Sequence, residues 1–173
     1  MNSKRRIRVV ILLILWAGVI FNFSSQPLKE QNLKFVLKEW ISEYNANRIV
    51  PNVSFYYHQD LVSGEQDPYG FMEFVIRKCA HLFEYGMLGI LCYPVLFKIK
   101  KIVWRFAGAV ALVAAVALAD EWNQSYVAER TSAIQDVGVD LTGAIVAISL
   151  FLLVKRLVWG KMDRRMSNKH ERK

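Results

Sequence analysis

Four apolar runs separated by polar stretches dominate this chain. The runs cover residues 7–23, 79–97, 102–119 and 137–158. Each is close to the roughly 20 residues that a helix needs to cross a hydrocarbon core of about 30 Å. The pattern therefore predicts an all-α membrane protein, in which a single domain of residues 1–173 forms a bundle of four transmembrane helices.

A clear helix start precedes the second run. Asp67 is a residue type that caps helices, and Pro68 suits the first helical position. A helix over residues 68–97 would be about 45 Å long, which exceeds the hydrocarbon core. We therefore expect residues 69–77 to lie outside the membrane and Pro94 to kink the far end.

The polar stretch 24–77 contains one further periodic segment, residues 29–44. Its apolar residues recur on one helical face, at Leu33, Val36, Leu37, Trp40, Ile41 and Tyr44. Because the other face is charged, the segment predicts an extra amphipathic helix. It either lies on the outer membrane surface or caps the bundle. Residues 45–66 show no regular pattern, so we expect an irregular loop there, with His58 exposed to solvent.

The distribution of charge predicts the orientation of the bundle. The N-terminal tail, the 98–105 turn and the tail from Lys155 hold 16 of the 23 Lys and Arg residues, with two of the 15 acids. Lys and Arg concentrate on the cytoplasmic side of membrane proteins. Both termini, including the basic tail 159–173, are therefore predicted to be cytoplasmic, and the 24–77 loop is predicted to lie outside.

Composition excludes several classes of function. The net charge of +8 lies at predicted membrane exits, and no nucleic-acid recognition motif accompanies it, so membrane lipids are the expected partners. Cys79 and Cys92 would be about 20 Å apart on one helix, too far for a disulfide. No Cys/His motif indicates a metal, and no cofactor is expected.

The candidate chemistry begins where the second run enters the membrane. Lys78, His81 and Tyr85 fall on one helical face, and Glu84 flanks that face. Ionisable groups at this depth are costly, so they usually face a bundle interior or a watery cavity.

Two further helix ends bring polar residues to the same side of the membrane. The polar residues are Asp120, Glu121 and Gln124 at the end of the third run, Arg130 and Ser132 in the following turn, and Asp136 and Asp140 at the start of the fourth run. With the first group, they predict a polar pocket at the outer end of the bundle that binds a ligand.

A purely structural role competes with this interpretation. Lys78 can pair with Asp136 or Asp140, and Arg130 with Asp120 or Glu121, so that ion pairs lock the helix ends together. Desolvation offsets much of the attraction in buried ion pairs, and apolar contacts would stabilise the bundle as well. So many ionisable groups therefore favour a functional pocket.

These residues resemble the VanZ-like family. The resemblance is carried by KCAHLFEY at 78–85, by DEWNQ at 120–124 followed by ERTSAIQDVGVDLTGA at 129–144, and by FSSQ at 23–26. Glu129 stands where the family often has Gly, Asp140 stands where Asn is common, and the 27–67 loop is long for the family.

The resemblance implies a small helical bundle in the bacterial cytoplasmic membrane. The family is named for a protein linked to resistance to teicoplanin, a glycopeptide antibiotic. We therefore expect a protein of the cell envelope that is linked to antibiotic resistance. We expect its pocket to bind a lipid headgroup, a lipid-linked envelope precursor or a lipoglycopeptide.

An enzyme acting on a lipid or peptidoglycan precursor is the alternative. His81 would be its general base, with Glu84 or Asp136 as orienting group or acid. Binding is favoured, because no nucleophile motif accompanies the histidine. Transport is disfavoured, because the inner halves of the spans lack a polar path.

Overall fold

The computed structural model describes residues 2–27, 31–58, 60–127 and 133–170, with side chains as far as residue 158. These ranges form six helices and two strands. The helices are α1 (Ser3–Ser24), α2 (Lys34–Trp40), α3 (Glu43–Ile49), α4 (Pro68–Val95), α5 (Ile102–Gln124) and α6 (Ile134–His170); the strands are β1 (Ser54–Tyr57) and β2 (Asp60–Ser63). The protein is therefore mostly helical, with one small hairpin that the all-α prediction did not include.

In the described part of the chain, three helices are long and apolar enough to cross a membrane. They are α1, α5 and the Ile134–Val158 part of α6, with 22, 23 and 25 residues. At 1.5 Å per residue these segments are about 33–38 Å long, which suits a hydrocarbon core of about 30 Å. The chain is therefore a multi-pass membrane protein.

The second predicted span belongs to α4, which is not among these three helices. Polar residues such as Lys78, His81 and Glu84 dilute its apolar character in the first half. The helix begins as expected, since Pro68 is its first residue and Asp67 Oδ1 accepts a hydrogen bond from the Gly70 N–H at 2.9 Å. It ends at Val95, two residues short of the predicted end.

The core forms around α4, which packs against α1, α5 and α6. Its Tyr85 and Leu88 are fully buried. Small residues of the neighbouring helices allow this close packing, namely Ala109 and Ala117 on α5 and Ala144 on α6. The central position of α4 brings its polar residues within reach of three neighbouring helices.

The α4–α6 crossing depends on glycine. A Cβ atom placed on Gly143 would lie 2.3 Å from the carbonyl oxygen of Leu82. On the α4 side, a Cβ atom on Gly86 would lie 3.1 Å from that of Ala147. These glycines therefore serve packing between two helices of the same chain.

The expected single helix over residues 29–44 was wrong in its extent. Residues 34–40 form α2 and residues 43–49 form α3, while residues 28–30 lie outside the described part. Ile41 has an extended backbone and Ser42 precedes α3, because serine favours helix starts over helix interiors. Both helices contact α4, while Trp40 and Tyr44 are exposed. The two helices thus cover the start of α4.

The expected irregular loop over residues 45–66 was also wrong. After α3, the antiparallel strands β1 and β2 pair Ser54 with Ser63 and Tyr57 with Asp60. The aromatic run FYY at 55–57 favours a strand, but four residues per strand are too few for a clear pattern. His58 is exposed at the turn, with a φ of 59°.

Candidate functional site

Polar side chains meet at one end of the bundle, where α1 and α5 end, α6 begins and α4 passes through. The polar cluster consists of Tyr57, Lys78, His81, Tyr85, Asp120, Gln124, Asp136 and Asp140. Helical spacing places Lys78, His81 and Tyr85 on one face of α4. Each of them contacts a different carboxylate on α5 or α6, which makes three donor–carboxylate pairs at successive depths.

The shallowest pair joins Lys78 to Asp136. The Lys78 ammonium forms an ion pair with Asp136 Oδ1, which also accepts a hydrogen bond from the Tyr57 hydroxyl. The ammonium lies 4.3 Å from the centre of the Tyr57 ring, a cation–π contact. Burial and the hydrogen bond to Asp136 raise the pKa of Tyr57, so its hydroxyl remains a donor at neutral pH. The hairpin is thereby fixed to α4 and α6.

The middle pair joins His81 to Asp140. The Nδ1 atom of His81 lies 3.0 Å from Asp140 Oδ1, and the imidazole stacks on the Tyr85 ring with an interplanar angle of 14°. Asp140 is buried, with 1% of its side chain exposed. Within the described residues its second oxygen, Oδ2, has no hydrogen-bond partner. The contact fixes the orientation of the imidazole and leaves a buried acceptor beside it.

The deepest pair joins Tyr85 to Asp120. Asp120 Oδ2 accepts hydrogen bonds from the Tyr85 hydroxyl at 3.0 Å and from Gln124 Nε2 at 2.9 Å. Gln124 also donates to Ser24 Oγ at 3.0 Å, and Asn123 donates to Ser25 Oγ at 2.9 Å. The two serines thus connect the end of α1 to the cluster.

Asp120, like Asp140, has one buried carboxylate oxygen without a hydrogen-bond partner among the described residues. No described residue donates a hydrogen bond to its Oδ1 atom. Buried acceptors are normally satisfied, since an unsatisfied one costs about 1–3 kcal/mol. Asp120 and Asp140 therefore each keep one buried acceptor oxygen that no described residue satisfies.

Of the remaining predicted site residues on α5 and in the following turn, the structure describes Glu121. Glu121 Oε2 accepts a hydrogen bond from the Ala133 N–H at 2.8 Å, so this side chain anchors the start of α6. The predicted residues Arg130 and Ser132 fall outside the described residues. Their expected place in the pocket, and the expected pairing of Arg130 with Asp120 or Glu121, therefore remain predictions.

Glu84 lies on the side of α4 that faces α1. Its backbone carbonyl accepts a hydrogen bond from Trp16 Nε1 at 2.8 Å. Glu84 also lines a groove with a mainly apolar surface between the two helices. The groove has a volume of about 390 Å³ and reaches His81 and Asp120. Glu84 is therefore associated with this groove instead of the three pairs.

A second cavity lies between the hairpin, α4 and α6. It has a volume of about 150 Å³, and most of its lining residues are polar, including Tyr57, Lys78, Gln124 and Asp136. His81 lines both this polar cavity and the apolar groove. The imidazole therefore stands where an apolar space meets a polar one.

The sequence did not single out Arg77, although it lines both spaces. Its Nη2 atom pairs with the buried Glu73 at 3.1 Å, while the buried Nη1 atom has no hydrogen-bond partner in the described ranges. The i, i+4 spacing of Glu73 and Arg77 was the available signal. Tyr57 was missed as well, because only the hairpin brings it to α4.

The donor set shapes what the cluster can bind. Lys78 is already paired with Asp136, and Arg77 is paired through only one nitrogen. The described residues contain no group of three or more His, Cys, Asp and Glu side chains arranged around a metal position. The arrangement suits a ligand that carries both an anionic group and hydroxyl or ammonium donors.

Comparison with known proteins gives one match. The family model described as VanZ/LLP1 matches residues 9–155, a range that includes most of α1, the hairpin, α4, α5 and most of the apolar part of α6. No curated protein and no solved structure matches the chain significantly.

Proposed function

The chain belongs to the VanZ/LLP1 family, and we propose that its polar cluster binds the head of an amphiphilic molecule of the bacterial envelope. The three ligand classes are a lipid headgroup, a lipid-linked envelope precursor and a lipoglycopeptide such as teicoplanin. The observation that carries the proposal is the junction at His81, where an apolar groove of about 390 Å³ meets the polar cavity. An amphiphile needs such a junction, with room for a chain on one side and polar partners on the other.

The polar groups indicate how the head is held. Arg77 Nη1 is a buried donor for a phosphate or carboxylate, while Asp120 Oδ1 is a buried acceptor for a sugar hydroxyl or an amine, and both residues line the groove. A role for Lys78 as the main phosphate ligand is less favourable, because its ammonium already pairs with Asp136. This division between donor and acceptor supports a head that carries a phosphate or carboxylate together with hydroxyl or amino groups.

The proposal includes an orientation. The chain crosses the membrane four times, both termini are cytoplasmic, and the polar cluster faces outward. The end of α1 beside the cluster and the start of α5 at the opposite, basic end support this orientation, with α4 proposed as the fourth span that connects the two ends. The positive-inside bias of Lys and Arg places the basic end in the bacterial cytoplasm.

Direct binding to the purified protein tests the proposal. The probes are fluorescent teicoplanin and a polyprenyl-linked sugar phosphate, each titrated against the wild type in detergent. His81→Ala and Arg77→Gln should each weaken binding of one of these probes about 10-fold or more, because each removes a group at the junction. The control, Arg48→Gln, changes an exposed arginine on α3 and should bind like the wild type. If neither probe binds, the precursor and lipoglycopeptide classes are excluded; if both junction variants bind like the wild type, the proposal is wrong.

One observation supports a second candidate, an enzyme that acts on a lipid or peptidoglycan precursor. The contact between His81 and the buried Asp140 resembles the arrangement in which a carboxylate orients a histidine general base. Asp140 takes the orienting position that was expected of Glu84 or Asp136. Turnover of the polyprenyl-linked probe, lost in His81→Ala, would favour this candidate over binding alone.

A further inference from the structure

A large cavity lies at the end of the bundle opposite the polar cluster. Its volume is about 660 Å³, and residues of α1, α4, α5 and α6 line it. Three of the lining residues are basic, and each belongs to a different helix: Arg5 on α1, Arg105 on α5 and Lys155 on α6. We call this space the basic cavity.

The charge of the basic cavity is not balanced from within the described structure. Its lining contains no acidic residue, and none of its three basic side chains forms an ion pair with a described carboxylate. Three cations facing one space repel each other unless an anion lies between them. The cavity is therefore suited to an anionic group.

Arg105 is held in place before any anion arrives. Its Nε atom donates to the Ile99 carbonyl at 2.8 Å, and its Nη2 atom donates to the Phe97 carbonyl at 3.0 Å. The guanidinium also lies 5.4 Å from the centre of the Tyr93 ring. One of the three cations is thus fixed by the turn after α4, which lowers the entropic cost of binding an anion.

An apolar groove continues from the basic cavity along α4 and α6. It has a volume of about 410 Å³, its lining is almost wholly apolar, and it shares Phe151 and Val154 with the basic cavity. From Ala147 to Val158, the two spaces extend along α6 for about 17 Å at 1.5 Å per residue. That length is comparable to half of a hydrocarbon core of about 30 Å, the depth that one acyl chain occupies.

We propose that the basic cavity and this groove bind one anionic phospholipid. Its phosphate lies among Arg5, Arg105 and Lys155, and one acyl chain lies in the groove towards Phe83. Basic pockets between membrane helices are suited to anionic lipid headgroups. The bound lipid connects α1 to α6, because Arg5 and Lys155 are on those two helices. This site is separate from the polar cluster and does not depend on the function proposed for it.

Native mass spectrometry of the full chain in detergent tests the site. The protein is offered equal amounts of phosphatidylglycerol and phosphatidylcholine with identical acyl chains. The wild type should retain one phosphatidylglycerol, with about 10-fold preference over phosphatidylcholine, since only the first carries a net negative charge. A large excess of inorganic phosphate should not displace it, because phosphate has no chain to fill the groove.

Two double variants separate this site from general electrostatic attraction. Arg5→Gln with Lys155→Gln should lower the preference about 10-fold, whereas Lys4→Gln with Arg156→Gln should leave it unchanged. The second pair removes the same charge from the same two helices but does not line the cavity. Equal retention of the two lipids by the wild type, equal loss in both double variants, or displacement by inorganic phosphate would each overturn the proposal.

Discussion

At the residue scale, one face of α4 carries three donors that each contact a carboxylate from another helix. Lys78 contacts Asp136, His81 contacts Asp140, and Tyr85 contacts Asp120. Carboxylates outnumber the cations within this set, and Asp120 and Asp140 each keep one buried oxygen that no described residue satisfies. A bundle stabilised only by ion pairs would not need these spare acceptors, which favours binding over a purely structural role.

The hydroxyl of Tyr57 provides a test of this geometry. Tyr57→Phe should lower the free energy of unfolding by about 1–2 kcal/mol, because it removes a hydrogen bond to the charged Asp136. The matched control is the neighbouring Tyr56→Phe, which changes a side chain that is 76% exposed and should have little effect. Thermal unfolding of both variants in detergent measures the difference; equal melting temperatures would contradict the contact.

The same hydrogen bond has an expected pH dependence. Burial and Asp136 raise the pKa of Tyr57 in the folded protein above its usual value of about 10. The stability that accompanies a raised pKa is fully present at pH values below the pKa of the unfolded chain. It is lost as the pH rises from that value towards the pKa of the folded protein. The stability difference between wild type and Tyr57→Phe should therefore be constant from pH 7 to about 10 and decrease above it.

At the scale of elements, the crossing of α4 and α6 positions the first two pairs. Asp136 and Asp140 reach Lys78 and His81 because Gly143 lets α6 approach the backbone of Leu82. Which carboxylate each donor contacts depends on this crossing, and sequence spacing cannot fix the register between two helices. The sequence therefore predicted the face of α4 correctly but left the partner of Lys78 open between Asp136 and Asp140.

A matched pair of glycine variants tests the crossing. Gly143→Ala should destabilise the protein by about 1–3 kcal/mol, because the new Cβ atom would lie 2.3 Å from a backbone oxygen. Gly138→Ala, on the same helix, places its Cβ atom in open space and should be neutral or slightly stabilising. Melting temperatures measured in detergent compare them. If Gly143→Ala melts like Gly138→Ala, the close approach is not required.

How well each helix or strand could be predicted from the sequence depends on its length. Long apolar runs predicted α1 and α5 well, since their periodicity and flanking charges extend over many residues. The hairpin and the break at Ile41 were missed, because short elements depend on contacts with α4 that no local pattern records. Tyr57 became visible as a site residue only through those tertiary contacts.

At the scale of the whole molecule, the two ends of the bundle differ in chemistry. One end combines buried carboxylates with an apolar groove and a polar cavity, and the other presents three basic residues around a larger cavity. The proposed orientation places the carboxylates towards the outside of the membrane and the basic residues towards the cytoplasm. In this proposed orientation, the polar cluster would be accessible to envelope precursors and to antibiotics that act at the cell surface.

Resistance measured in cells tests the central claim, that the outward polar cluster acts on an envelope amphiphile. The measurement is the inhibitory concentration of teicoplanin for a susceptible bacterium that expresses the wild type or a variant, with membrane levels matched by a tag. The wild type should protect, and Lys78→Ala, His81→Ala and Arg130→Ala should not. Thr142→Ala, an exposed change on α6, should protect like the wild type. Equal protection by the wild type and by all three of these alanine variants would contradict the account.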